Sequence, residues 1–370
     1  MPSDLSPDFD GDVRPWEIGG SVGLQPYDEG GVGARSATAV RPIIHIGVHK
    51  TATNWFQSHL YPAAESHRFV DRRLVRRVII GTPALAFDAA SAQRQLKLAP
   101  GEASFAICEE DLSGVLHDGG LTAGFAVKEI AYRLKAIAPD AQIVIMVRNQ
   151  LSLAASCYHQ YLREGGTAGP LRYLFPETHR HLGNVRPLKI PRFDFTQFDH
   201  DQLIAHYDKV FGCENVHVFA YEHFAREPVS FLAGFTSKLG LQIPEKLDRG
   251  RRLNGSYRRR LLSIARVANR FTERSVSDKR VLVHIPYWYT VRKALLEQLN
   301  QSPLFGRVPS PAELFGDQAL RWMAVRFAEG NRRLAARMGV NLGALGYPVA
   351  APAEPVEVPR PSRLVAWMRN

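Results

Sequence analysis

Short runs of β-type residues alternate with stretches of helical periodicity through the middle of this chain, and nothing else in it limits the fold as strongly. IIHIGV (43–48) opens the series, and a helical pattern follows from about Thr53. SFAICEE (104–110), IVIMV (143–147) and NVHVFAYE (215–222) are three further strand candidates. Helical patterns cover AVKEIAYRLKAIAP (126–139), LSLAASCYHQYLREG (151–165) and VSFLAGFTSKLGL (229–241). Such alternation predicts the α/β class, with a central, mostly parallel sheet covered by helices on both faces. Ligands of these sheets bind at the carboxyl ends of the strands. The polar residues after the first three strands are therefore expected to share one cleft. Helical patterns at 254–272, 290–300 and 317–338 add extra C-terminal helices.

The two ends read differently. Residues 1–40 are rich in Gly, Pro, Asp and Ser and are expected to form a flexible arm. Residues 41–345 form the α/β domain, and 346–370 a proline-rich tail ending in RLVAWMRN, a candidate docking helix. No run of 18 apolar residues occurs, so no membrane span is expected. The start is acidic and polar, unlike a secretory signal. The three cysteines, Cys108, Cys157 and Cys213, lack any short paired spacing. That argues against a disulfide framework or a cysteine zinc site, and for a reduced, cytoplasmic protein. A net charge of +11 favours anionic partners without choosing among nucleic acid, lipid, acidic glycan and phosphorylated cofactor. The sequence does not give an oligomeric state.

The loop VHKTATNW, between the first strand and its helix, carries a lysine and two threonines. A strand feeding a helix leaves backbone N–H groups free at the helix start, which with the helix dipole favour an anion. Lys50 adds a full charge, Thr51 and Thr53 add hydroxyls, and Trp55 an aromatic face. An ordinary turn with Thr51 or Thr53 as N-cap explains the same residues. The triphosphate-binding pattern G-x-x-x-x-G-K-[ST] is missing.

A second constellation follows IVIMV. Arg148 stands where that strand ends, and Ser156 lies eight residues on. With a helix starting near Gln150, both can converge on one anion, and the planar guanidinium suits a phosphate. A surface arginine and an ordinary helix serine are the alternative.

Together the two stretches resemble the sulfotransferases, of bacterial and glycan type, that use 3′-phosphoadenosine 5′-phosphosulfate (PAPS). The family's K-T-G-T-T-W-like loop stands here as K-T-A-T-N-W, Lys50 to Trp55. Its later R-N-P, with a serine eight residues after the arginine, stands as R-N-Q with Ser156, followed by Tyr158 and His159. Its strand leading into Y-E-D-L stands as VFAYEHF, with Tyr221. The resemblance spans roughly residues 42–260. It implies a P-loop-like sulfotransferase fold in which His49, Lys50, Thr51, Ala52, Thr53, Asn54 and Trp55 hold the 5′-phosphosulfate. It gives the 3′-phosphate to Arg148 and Ser156, and sets Tyr221 and Trp55 against the adenine.

The departures are definite. Ala52 replaces a glycine, so the loop is expected not to use positive φ freely there. Asn54 replaces a threonine, and Gln150 a proline. The family's R-K-G segment has no counterpart as such. The nearest run is DRGRRLNGSYRRR (248–260), whose Arg251, Arg252 and Asn254 can close over the 3′-phosphate or start a solvated basic helix.

The chemistry the resemblance implies is transfer of a sulfuryl group to an acceptor hydroxyl, most simply on a carbohydrate, with no metal and no nucleic-acid partner. Lys50 offsets charge on the leaving phosphate, and a carboxylate takes the acceptor's proton. C-E-E-D-L places Glu110 first and Glu109 second for that base, since a strand points neighbouring side chains to opposite faces. Both acids can instead cap the next helix or pair with Lys or Arg. His117 is a weaker candidate, and His45 alternates with core positions. The rival functions are a nucleotide kinase or NTPase, and a non-catalytic polyanion binder of the same fold.

Overall fold

The computed structural model describes residues 40–114, 116, 126–175, 195–245, 256–273, 280–351 and 356–359. Strand β1 (Ile43–His45) runs through its loop into α1 (Thr53–Trp55), which continues as a π turn over Phe56–Leu60. Next come β2 (Arg68–Phe69), α2 (Arg72–Val75), continued by a π turn over Arg76–Ile80, and α3 (Ala89–Gln95). Then follow β3 (Phe105–Cys108), a 3-10 turn over Glu110–Ser113, α4 (Val127–Ile137), β4 (Gln142–Val147) and α5 (Gln150–Arg163). Helices α6 (Pro170–Leu174) and α7 (His200–Phe211) lead to β5 (Val216–Ala220), α8 (Tyr221–Arg226) and α9 (Pro228–Leu239). The C-terminal third holds α10 (Arg259–Ala268), α11 (Trp288–Asn300), α12 (Pro311–Phe315) and α13 (Asp317–Met338). Among the described residues no helix is long and apolar enough to cross a membrane.

The five strands form one parallel sheet in the order β2-β3-β1-β4-β5. After β1 the chain places β2 at the outer edge, fills in β3 between the two, then crosses back to add β4 and β5 on the other side. His45 at the end of β1 pairs with Cys108 of β3 and Val144 of β4. Strand order therefore reverses at β1, and that reversal opens a crevice at the carboxyl ends of β1, β3 and β4.

Period-two alternation sorts the strand side chains between two cores. Ile44, Ile107, Ile143 and Ile145 face the layer built by α4, α5 and α7. Ile43, Ala106, Val144 and Met146 face Phe56, Phe235 and Leu239. A central parallel sheet is buried on both sides, so its strands read as continuous apolar runs. This explains why β1, β3 and β4 are legible in the sequence. Strand β2, two residues long, is too short to carry a period and exists through its pairing with Phe105 and Ala106.

The C-terminal helices close the sheet's side rather than form a separate body. Asn331 of α13 and Gln150 of α5, both buried, exchange amide hydrogen bonds of 2.7 and 3.0 Å. Arg333 and Arg337 of α13 pair with Asp201 and Asp208 of α7 at 2.5 and 2.9 Å. Those exposed pairs contribute little, about 0–1 kcal/mol each, so the docking rests on the buried amide pair and on the apolar face of α13, with Met323, Phe327 and Leu334 in the core.

Phe56 is fully buried and meets His45, Trp55, Phe224 and Phe235 at ring separations of 5.1 to 5.3 Å. It anchors α1 under the sheet. Phe56→Ala is expected to lower stability by about 3–5 kcal/mol, read as a shift of the urea midpoint with an unchanged slope.

Candidate functional site

The loop after β1 is held in a backbone conformation that most sequences avoid. Gly47, Lys50 and Ala52 have φ of +52°, +66° and +66°. At Gly47 a Cβ would lie 2.9 Å from the Thr53 hydroxyl and 3.8 Å from the Glu110 Cα, so the position needs glycine. Ala52 corrects the sequence reading: the loop uses positive φ there although the residue is alanine. A left-handed L-residue costs about 1–2 kcal/mol, and such strain gathers at functional sites when surrounding contacts enforce it. Alternating right- and left-handed residues turn successive N–H groups toward one concavity, an arrangement that suits anions.

Neither threonine caps the helix. Ala52 is the N-cap of α1 and makes no side-chain cap. Thr51 is fully buried and its hydroxyl donates to the Val48 carbonyl at 2.5 Å. Its single O–H is spent inside the loop, which corrects its assignment as a donor to phosphate. Thr53 is also buried, yet its Oγ1 has no partner. A buried hydroxyl without a partner costs about 1–3 kcal/mol, so this oxygen suits a ligand in the loop. Asn54 is exposed. Trp55 is half-buried, stacks on His59 at 5.6 Å and leans on Phe224 at 5.1 Å.

Arg148 joins the ends of β1 and β4. Its Nη1 donates to the Lys50 carbonyl at 2.8 Å and its Nε to the Ser152 hydroxyl at 3.1 Å. Its guanidinium lies 4.7 Å above the Tyr221 ring. Asn149 caps α5 by accepting from the Leu151 and Ser152 amides, so the helix starts at Gln150 as expected. The serine that Arg148 holds in the structure is Ser152, one turn before Ser156. Ser156 is half-buried on the second turn, and its hydroxyl has no partner among the described residues.

Charge converges on this crevice. Burial pushes the Lys50 ammonium below its ordinary value, Cys157 and Glu110 oppose that, and Arg163 and Arg148 reinforce it. No hydrogen bond or ion pair of the Lys50 ammonium occurs among the described residues. His159 is lowered to about 4 by burial, with Arg163 and Lys50 adding to it. Its Nδ1 accepts from the Tyr257 amide at 3.2 Å, which leaves the proton of the neutral ring on Nε2, buried and without a partner. Sequence reading gave no role to Gly47 or Arg163. The glycine four residues before Thr51 was its available signal.

The two glutamates after β3 part ways. Glu109 is fully buried and accepts from Arg72 at 3.0 Å, from Arg76 at 3.0 Å and from the Asp111 amide at 3.2 Å. Burial raises its pKa, but the Arg72 hydrogen bond and the charges of Arg72 and Arg76 outweigh that and hold it below the usual value. Glu110 is half-buried, and its carboxylate has no partner among the described residues. His49 turns toward this side as well. Its Nε2 bonds the Gly114 carbonyl at 2.5 Å and lies 3.9 Å from Asp111. His45 sits in the core, 3.1 Å from the Tyr61 hydroxyl, and burial lowers it to about 3. His117, Arg251, Arg252 and Asn254 lie outside the described residues. No group of three or more His, Cys, Asp or Glu among the described residues is arranged to hold a metal ion.

No described protein family matches the sequence, and no curated protein matches it. Among solved structures the chain is similar to a sulfotransferase from Alicyclobacillus acidocaldarius, at 19% identity over 58% of this chain and 87% of that one, with a TM-score of 0.42. It is similar to a mouse sulfotransferase complexed with PAP, at 18% identity over 56% of this chain and 60% of that one, TM-score 0.30. The sulfotransferase domain from the curacin biosynthetic pathway is 11% identical over 82% of this chain and 99% of that one, TM-score 0.31.

Two variants test the local energetics. Ala52→Gly removes about 1–2 kcal/mol of strain and returns about 0.4–1 kcal/mol through a freer unfolded chain. A net gain near 1 kcal/mol is expected in denaturant unfolding. Glu109→Gln is expected to cost about 2 kcal/mol at neutral pH, as charged hydrogen bonds are lost while Arg72 and Arg76 can still reach water. Because the folded-state pKa of Glu109 is depressed, its contribution is complete above the unfolded glutamate pKa. It fades as pH falls through the lower folded value. The melting-temperature gap between wild type and Glu109→Gln should therefore close in acid.

Proposed function

We propose that the protein is a sulfotransferase that takes a sulfuryl group from PAPS and gives it to an acceptor hydroxyl, most simply on a carbohydrate. The observation that carries this reading is the strained loop itself. Three left-handed residues and an orphaned Thr53 hydroxyl stand beside Lys50, whose ammonium has no partner among the described residues, and Arg148 ties the loop to the next strand. Two anion-seeking patches on adjacent strand ends suit a nucleotide phosphorylated at both ends. The match of Lys50–Trp55, Arg148, Ser156 and Tyr221 to the motifs of PAPS-dependent enzymes supports the same donor.

In this reading the loop amides, Lys50 and Thr53 hold the 5′-phosphosulfate. Ser156 and the free edge of Arg148 take the 3′-phosphate, with Arg251, Arg252 and Asn254 as further candidates. Tyr221 and Trp55 flank the base. PAPS supplies the sulfuryl group, whose bond to the 5′-phosphate oxygen breaks as the acceptor oxygen bonds to sulfur. Lys50 offsets the charge that builds on the departing phosphate. Glu110 takes the acceptor's proton. Its open carboxylate fits that role, whereas every bond that Glu109 accepts serves the fold. His49 then braces the loop from the β3 side.

Calorimetry with PAP against ATP–magnesium separates this reading from a nucleotide kinase, and tighter binding of ATP–magnesium would sink it. Transfer of label from radioactive PAPS across glycans, phenols and lipids should reveal the acceptor. Lys50→Ala should then lower kcat about 100- to 1,000-fold. Glu110→Gln should lower it about 100- to 10,000-fold while leaving PAP affinity near wild type. If both variants keep full function, the polyanion-binder alternative stands instead.

A further inference from the structure

The cap made by α10, the strap 280–287 and α11 bears an apolar surface that the proposed donor site does not use. Leu261, Leu262 and Ala265 of α10 face the core, but Ile264 and Val267 stay 43% and 55% exposed. In the strap, Leu282, Val283 and Tyr287 are 64%, 60% and 86% exposed. Val291 and Leu295 extend the surface along α11. Between the helices lies a depression of about 470 Å³ lined by Ser263, Ile264, Val267, Ala268, Phe271 and Trp288. The Leu282 amide donates to the Arg270 carbonyl at 2.7 Å, and that of Ile285 to the Phe271 carbonyl at 3.0 Å. A pinned backbone thus presents these side chains to solvent. A contiguous apolar patch on a water-soluble face marks a docking surface.

The charges around it select the occupant. Besides the buried Arg292, the described stretches 256–273 and 280–300 contain seven Arg or Lys residues against two glutamates, Glu273 and Glu297. Arg270 and Arg280 are exposed at the margin of the strap. A second copy would meet this face basic rim to basic rim, and the segment RLVAWMRN would bring two more arginines to it. Like charges brought together oppose both contacts. A bilayer of anionic lipid complements both features. Apolar side chains enter the boundary between headgroups and acyl chains, and arginines meet the negative headgroups.

We propose that this face docks the protein peripherally on an anionic lipid surface. Flotation of the full chain with vesicles of phosphatidylcholine, alone or mixed with phosphatidylglycerol, tests it. Binding is expected to the mixed vesicles only, and to weaken as salt is added. Val283→Asp with Tyr287→Asp should abolish it. Arg270→Gln and Arg280→Gln should each weaken it about fivefold. These side chains are exposed, and unchanged melting and PAP binding would confirm that the variants fold. Failure to float with either lipid overturns the proposal, as does flotation that the double aspartate variant retains. A dimer in light scattering that the same variant converts to monomer assigns the face to a second copy and overturns it too.

Discussion

The site hangs on one side chain, Arg148. It donates to the Lys50 carbonyl, holds Ser152, and lies over Tyr221, while its own carbonyl meets the His200 ring at 3.0 Å. Four segments that are remote in sequence meet at this residue: the β1 loop, the β4–α5 turn, α7 and α8. Left-handed Lys50 and Ala52 together cost about 2–4 kcal/mol. Hydrogen bonds to a charged donor contribute about 1.5–3 kcal/mol each. The Arg148 contacts are therefore of the size needed to hold the loop in shape.

Glu109 and Glu110 show how a single step along the chain can separate a saturated carboxylate from an open one. The ladder extends one residue past β3, where the Glu109 amide donates to the His45 carbonyl at 3.1 Å. That pairing sends Glu109 into the space between β3 and α2, where two arginines neutralise it. The chain then turns into the 3-10 segment, and Glu110 is released toward the crevice beside Gly47. Two carboxylates of the same type thus meet opposite surroundings, one saturated with donors and the other open.

Much of this was legible in the sequence. The four longer strands and the long C-terminal helices follow from apolar runs and helical periodicity, and the helix start at Gln150 from the periodicity of the stretch after IVIMV. The gathering of Lys50, Glu110 and Arg148 follows from the parallel topology, because strand ends meet wherever neighbouring strands run the same way. What was not legible depends on tertiary contact. Nothing local announces that Ala52 takes a glycine-like φ, since Arg148, almost a hundred residues away, helps to enforce it. Nothing local shows that the Thr51 hydroxyl turns inward or that Arg148 holds Ser152. Pairing of Glu109 with Arg72 and Arg76 needs the α2 helix folded over β3, and no spacing encodes that.

The turn that carries Arg148 is stitched to the far end of the chain. Asn149 donates to the Gly346 carbonyl and Asn331 to that of Pro348, while the Tyr347 hydroxyl reaches Glu222, whose other oxygen takes the Asn149 amide. Tyr347 is buried, so this stretch belongs to the packed domain despite its proline-rich surroundings. The order of synthesis then matters. The loop after β1 is made well before residue 348, and the turn that braces it stays unsupported until the chain has grown past that point. A nascent or truncated chain that stops sooner carries every residue of the loop without the frame that shapes it. The loop's frame is thus shared with a segment almost three hundred residues further along the chain.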